Sequence, residues 1–184
     1  MTAHNMRVSV AAVLLVFLSA TTIPAPISAQ GRPAPAAFDC STATGIPFSE
    51  CHAPIALYTS TNGAGWTNQS GWLTTNTPCS WYGVTCDTGG VTQLSPGFNQ
   101  LSGRIPPELG NLANLKALYL NSNQLRESIP PELGDLANLQ YLDLGGNQLR
   151  GPLPQSLTNL HTLGNFYLDT VLLCLPDNSA FAAW

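Results

Sequence analysis

Leucine recurs along residues 91–173 with a beat of 24 positions. Leu94, Leu118, Leu142 and Phe166 form one apolar series, and Leu101, Leu125, Leu149 and Leu173 form another. Between them runs a polar series, Asn99, Asn123 and Asn147. The two central units, beginning at Asn111 and Asp135, are identical at twelve of 24 positions, which marks one short supersecondary unit stacked on itself. Such a unit cannot bury its apolar face alone. Within it, Leu118-Tyr119-Leu120 and Leu142-Asp143-Leu144 alternate with period 2, the signal of a strand with one buried face. Asn at this spacing predicts a ladder whose amides satisfy the backbone of neighbouring turns. The Ile105-Pro106-Pro107, Ile129-Pro130-Pro131 and Leu153-Pro154 runs cannot continue a hydrogen-bonded strand, because proline has no N–H, and they mark the convex return of each coil.

The pattern LxxLxLxxNxLxGxIPxxLGxL resembles the plant-type leucine-rich repeat, found in plant receptor-kinase ectodomains, polygalacturonase-inhibiting proteins and secreted bacterial proteins. It covers about Val91 to Cys174. The resemblance implies an α/β-type repeat solenoid: a short right-handed coil of about four 24-residue repeats with a parallel concave sheet, a helical N-terminal cap and a short C-terminal cap. Pro96 stands in place of an inward apolar residue, Glu127 in place of the usual Gly, and Val171 where the ladder Asn belongs. These departures fall mostly on the outer coils.

The chain divides accordingly. Residues 1–29 read as a secretory signal peptide, with Arg7 as the basic region, Val8 to Ala20 as the apolar stretch and Ile27-Ser28-Ala29 as the cleavage site. That apolar stretch is too short for the roughly 20 residues that span a bilayer. Residues 30–38 are a Pro/Ala linker, 39–90 the disulfide-stabilised cap, 91–173 the repeats and 174–184 the C-terminal cap, where Asp177 starts a short helix carrying Phe181 and Trp184. The chain is expected to be exported to the extracellular space or cell envelope, with no membrane insertion after cleavage, and to act as a complete, monomeric protein.

An exported chain with five cysteines, Cys40, Cys51, Cys79, Cys86 and Cys174, is expected to carry disulfides and one spare thiol. Cys79 pairs with Cys86 if "PCSWYGVTC" follows the family's capping motif; Cys40 and Cys51 pair by proximity. Metal ligation would need tighter Cys or His spacing. Ser49 to Thr61 reads as a helix with Ser49 as N-cap, Pro54 in the first turn, and Ile55, Leu57 and Tyr58 on its buried side. Trp66, Trp72 and Trp81 are expected to close the open end of the solenoid, with a sugar platform as the rival reading. Asp87 to Gly90 reads as a hairpin turn, and Asn68-Gln69-Ser70 as a glycosylation sequon if the host is a eukaryote.

Net charge is −4, which argues against nucleic acid or anionic lipid as a partner. His52 and His161 have no Ser or Cys partner in view, so no catalytic residue, metal or cofactor is assigned and no enzyme is expected. Binding is the better reading. Alternate residues of the stacked strands face away from the core, in columns Gln93-Ala117-Tyr141-Asn165, Ser95-Tyr119-Asp143-Tyr167 and Gly97-Asn121-Gly145-Asp169. Tyr119, Asn121, Tyr141, Asp143, Tyr167 and Asp169 are the candidate binding residues on this concave face. The expected ligand is a protein, peptide or glycan. The rival functions are inhibition of a secreted polysaccharide-degrading enzyme, and a structural or adhesive role in the envelope or matrix, ordered surfaces such as ice included.

Overall fold

The computed structural model describes residues 38–169 and 173–174, all within the unit that spans residues 35–184. The expected leader (1–29), nearly all of the linker (30–38), Val171, Asp177, Phe181 and Trp184 lie outside the described residues. Among those described, no helix is long and apolar enough to cross a membrane.

The cap comes first. A 3-10 turn, Cys40–Thr42, is capped by the Asp39 carboxylate, which accepts from the Ser41 N–H at 2.8 Å. The Ser41 backbone and hydroxyl donors hold that carboxyl below its ordinary pKa. Helix α1 follows, Phe48–Ser60. Its N-cap is Pro47, not Ser49, and no side chain caps it. Pro54 therefore sits in the second turn rather than the first, where it removes one helical hydrogen bond. The buried side is Glu50, Cys51, Ala53, Pro54 and Leu57; Ile55 and Tyr58 are only half buried. Disulfides Cys40–Cys51 and Cys79–Cys86 close loops of 11 and 7 residues, and each stabilises by roughly 2–3 kcal/mol, mostly by restricting the unfolded chain.

Trp66, Trp72 and Trp81 are 4%, 1% and 2% exposed. Their rings contact one another, with centroids 4.8 Å (Trp66–Trp72) and 5.0 Å (Trp72–Trp81) apart, and Tyr58 and Phe38 flank them. Each indole N–H is satisfied: Trp66 donates to Thr61 O, Trp72 to Tyr82 O and Trp81 to Thr75. Buried this way the cluster belongs to the core, which leaves no indole face for a sugar.

A hairpin joins cap to repeats. Strand β1 (Val84–Asp87) runs antiparallel to β2 (Gly90–Leu94), with Asp87 opposite Gly90 at the turn. From β2 the main sheet continues in parallel through β4 (Ala117–Tyr119), β6 (Tyr141–Asp143) and β9 (Asn165–Tyr167). Leu94, Leu118, Leu142 and Phe166 stand side by side at the repeat spacing. A second, lateral sheet pairs β3 (Ser102–Gly103), β5 (Gln124–Glu127) and β7 (Gln148–Leu149). β8 (Gly151–Pro152) pairs with β10 (Leu173–Cys174). The proline runs lead into 3-10 turns, Pro107–Asn111, Pro131–Asp135 and Gln155–Asn159, which form the return of each coil and bury Leu109, Leu133 and Leu157.

The asparagine series binds the coils together. The Asn123 Oδ1 accepts from the N–H groups of Asn99 and Leu101, both at 3.0 Å, while its Nδ2 donates to Pro96 O, Leu120 O and Asn121 O. Asn147 repeats the pattern one coil on, accepting from Leu125 N–H and donating to Leu120 O, Leu144 O and Gly145 O. Asn99 turns toward the cap instead, exchanging hydrogen bonds with the Asn68 backbone at 2.6 and 2.8 Å. Asn68, read as a sequon, is thus the cap's docking point on the ladder, and its own Oδ1 accepts from Ser70 N–H and Oγ–H.

Glu50 forms a second junction. It is 2% exposed, and its carboxylate accepts from the Val91 N–H at 2.7 Å. A Cβ on Gly90 would collide with that carboxylate. Burial raises the Glu50 pKa; the Val91 and Asn114 donors oppose the shift and Asp87 adds to it.

Two tests follow from these junctions. Asn123→Ala strands buried N–H and C=O groups and should lower unfolding free energy by about 2–4 kcal/mol, read by urea denaturation. A loss under 1 kcal/mol would remove the ladder from the account. Because Glu50 has a raised folded pKa, its contribution is complete at acid pH and is lost as pH rises through that pKa. Glu50→Gln should therefore gain stability relative to the parent from acid to neutral pH in melts run across that range; a constant difference would contradict this.

Candidate functional site

The concave face is set by the backbone just described. Leu118 and Leu142 point inward and are fully buried, so their neighbours on β4 and β6 point outward. Register then places Ala117 beside Tyr141 and Tyr141 beside Asn165, and places Tyr119, Asp143 and Tyr167 in one row. Strands in such a sheet lie about 4.8 Å apart, so Asp143 stands at a register position between Tyr119 and Tyr167.

Exposure separates the candidates. Tyr141 is 42% and Tyr167 58% exposed, whereas Tyr119 and Asp143 are half buried and Ala117 is 7% exposed. Asn121 is half buried and Asp169 exposed. Of the three candidate tyrosines, the accessible ones therefore lie toward the C-terminal coils. Two open, shallow depressions flank Tyr141: one is lined also by Gln140, Thr162, Gly164 and Asn165, the other by Asp87, Lys116, Tyr119 and Gln140 among others. Lys116 is not free there, because its ammonium stands 3.9 Å from the Asp87 carboxylate.

Asp143 and Asp169, 26 residues apart, fall in different columns, yet their carboxylates meet at one turn. Asp143 accepts from the Gly145 N–H at 3.1 Å, and Asp169 accepts from the N–H of Gly146. Gly145 lies beside both carboxylates: a Cβ there would make ordinary contacts, 3.4 Å from Asp143 Oδ1 and 4.0 Å from Asp169 Oδ1. Column spacing alone missed this convergence, although two glycines side by side were its signal. Nor did spacing point to Glu50 or Asn114, whose roles depend on the cap folding back onto β2.

The candidate catalytic and metal chemistry is thin. His52 lies exposed on α1 and His161 exposed in the turn before β9. Among the described residues no group of three or more His, Cys, Asp or Glu side chains could hold a metal ion.

Residues 97–149 match the family model described as leucine rich repeat. The receptor-like kinase FEI 2 of Arabidopsis thaliana is 49% identical over 47 residues, which are 24% of this chain and 8% of that protein. The chain is a plant-type leucine-rich-repeat protein. A leucine-rich-repeat receptor ectodomain of known structure, that of the Arabidopsis kinase HAESA with an IDA peptide hormone ligand, superimposes with a TM-score of 0.56 at 30% identity. It covers 72% of this chain, and the chain covers 23% of it. A plant ice-binding protein superimposes with a TM-score of 0.62 at 27% identity, covering 71% of this chain and 42% of its own. The chain thus spans less than half the length of each of these proteins.

One departure from the repeat is measurable. Gly103 (φ +130), which ends β3, and Gly151 (φ +95), which opens β8, are left-handed at the repeat spacing, and Glu127, which ends β5, occupies the same repeat position at φ +73. A side chain there costs roughly 1 kcal/mol. Glu127→Gly should recover a good part of that in the thermal midpoint; an unchanged or lower midpoint would show that the Glu127 side chain contributes contacts that offset its backbone.

Proposed function

We propose that this protein is an extracellular, non-enzymatic recognition module that binds a peptide or protein segment across its concave face. The observation that carries the reading is the row Tyr119, Asp143 and Tyr167 with Tyr141 beside it. Tyrosine offers large contact area with a polar tip and little rotamer entropy to lose. An exposed Tyr167 and Tyr141 on a rigid sheet are anchors already in place, so binding pays little for ordering them. Asp143 and Asp169 give the face acidic character, and Lys116 is engaged by Asp87, so a segment bearing Lys or Arg is favoured. Asn121 borders the acidic pair and completes the polar rim.

Support comes from the relatives as well. The HAESA ectodomain carries a peptide hormone on a related solenoid. Disulfides persist outside the cytosol, which agrees with the leader read in residues 1–29. On the concave face a peptide or protein is favoured over a glycan, because that face is aromatic and acidic while Trp66, Trp72 and Trp81 are buried.

A display library of random peptides, selected on residues 30–184, tests the reading. Recovered sequences should be enriched in Lys or Arg near an apolar residue, and a Tyr141→Ala, Tyr167→Ala variant should lose their binding by on the order of tenfold to a hundredfold while still melting cooperatively. Sequences that bind parent and variant equally would overturn the concave face as the site. Retention on ice or insoluble polysaccharide, with no peptide recovered, would favour the surface-binding alternative.

A further inference from the structure

A second surface lies on the lateral sheet, away from the concave columns. Leu125 and Leu149 point inward there and are buried, so Gln124 and Arg126 on β5, and Gln148 and Arg150 along β7 and just beyond it, point outward. All four are exposed, and none makes a side-chain hydrogen bond or ion pair among the described residues. Register sets Arg126 directly beside Gln148, with Arg150 as its diagonal neighbour on the same face. Diagonal neighbours lie roughly 7–8 Å apart, within reach of two long side chains. Two arginines therefore stand at neighbouring positions of one exposed face with no described counter-charge within 4.0 Å, in a chain whose net charge is −4. Arg104, which follows β3, is exposed at the end of the same row, but it borders a shallow depression that it shares with Glu127 and Glu132. Arg126 and Arg150 do not line that depression.

Like charges on adjacent strands repel, and a guanidinium offers a planar fork suited to a carboxylate. Glutamine amides on either side add donors and acceptors of the kind hydroxyl groups need. The face is flat, with no enclosed cavity, so it fits an extended polymer better than a small ion. We propose that the outer face of the lateral sheet binds a linear acidic polysaccharide, whose carboxylates are taken by Arg126 and Arg150 and whose hydroxyls meet Gln124 and Gln148. This surface is separate from the concave face, so a solenoid bound along a uronate chain keeps its tyrosines free.

Affinity electrophoresis at low ionic strength tests the proposal with residues 30–184, using polygalacturonate, neutral dextran and a single-stranded DNA oligomer as probes. Retardation by polygalacturonate but not dextran is expected, falling with added salt. The Arg126→Gln, Arg150→Gln variant, changed only at exposed positions, should bind about tenfold more weakly and melt no lower than the parent, since it removes a repulsion. The Tyr141→Ala, Tyr167→Ala variant should be retarded like the parent. Absence of retardation, equal retardation of the arginine variant, or its loss in the tyrosine variant would each overturn the assignment. DNA binding as tight as polygalacturonate binding would also overturn it, in favour of a general polyanion surface.

Discussion

The amide of Asn123 is the constraint on which the rest of this structure depends. Short parallel strands leave each coil to turn sharply after three residues, and the turn exposes backbone groups that have no strand partner. Water cannot reach them, because Asn99 and Asn123 are 1% and 8% exposed. A single planar amide supplies both a double acceptor and a donor, and so satisfies groups from Pro96 through Leu101 and Leu120 to Asn121 in two coils at once. No buried side-chain nitrogen or oxygen among the described residues lacks a partner. The ladder thereby fixes the pitch, and the pitch decides which outward side chains become neighbours.

Both proposed surfaces inherit their geometry from that pitch. Tyr119, Asp143 and Tyr167 stand in a row because Leu118, Leu142 and Phe166 do. Arg126 stands beside Gln148, with Arg150 two residues on along the same face, for the same reason. Neither surface is a pocket. Recognition on such a scaffold depends on preordered side chains over several coils rather than on enclosure, and this suits extended ligands. The cap matters because a solenoid with an open end would expose Leu94, Leu101 and Leu118 to water; the tryptophan cluster, two disulfides, the Asn68–Asn99 pair and Glu50 hold it in place.

Periodicity made the repeats legible. The series at 94, 118, 142 and 166 and at 99, 123 and 147 stand in the structure where the spacing put them, and the hairpin turn at Asp87 to Gly90 and both disulfides agree with the sequence reading. What the sequence hid was non-periodic. Ser49 reads as an N-cap by residue type, but the helix starts two residues earlier behind Pro47, and Glu50 looks like a surface acid until α1 packs on β2. Asp143 and Asp169 looked unrelated because column logic compares equal positions, whereas their carboxylates converge through the glycine turn between them. Long-range contacts with no repeat spacing leave no trace in a linear pattern.

Amide hydrogen exchange measures the central claim most directly. If the asparagine ladder locks the pitch, the N–H groups of Asn99, Leu101 and Leu125, all bonded to ladder side chains, exchange only through global unfolding and share its free energy. Exchange at those three positions as fast as at the exposed hairpin N–H of Gly89, with the protein still folded, would contradict the account.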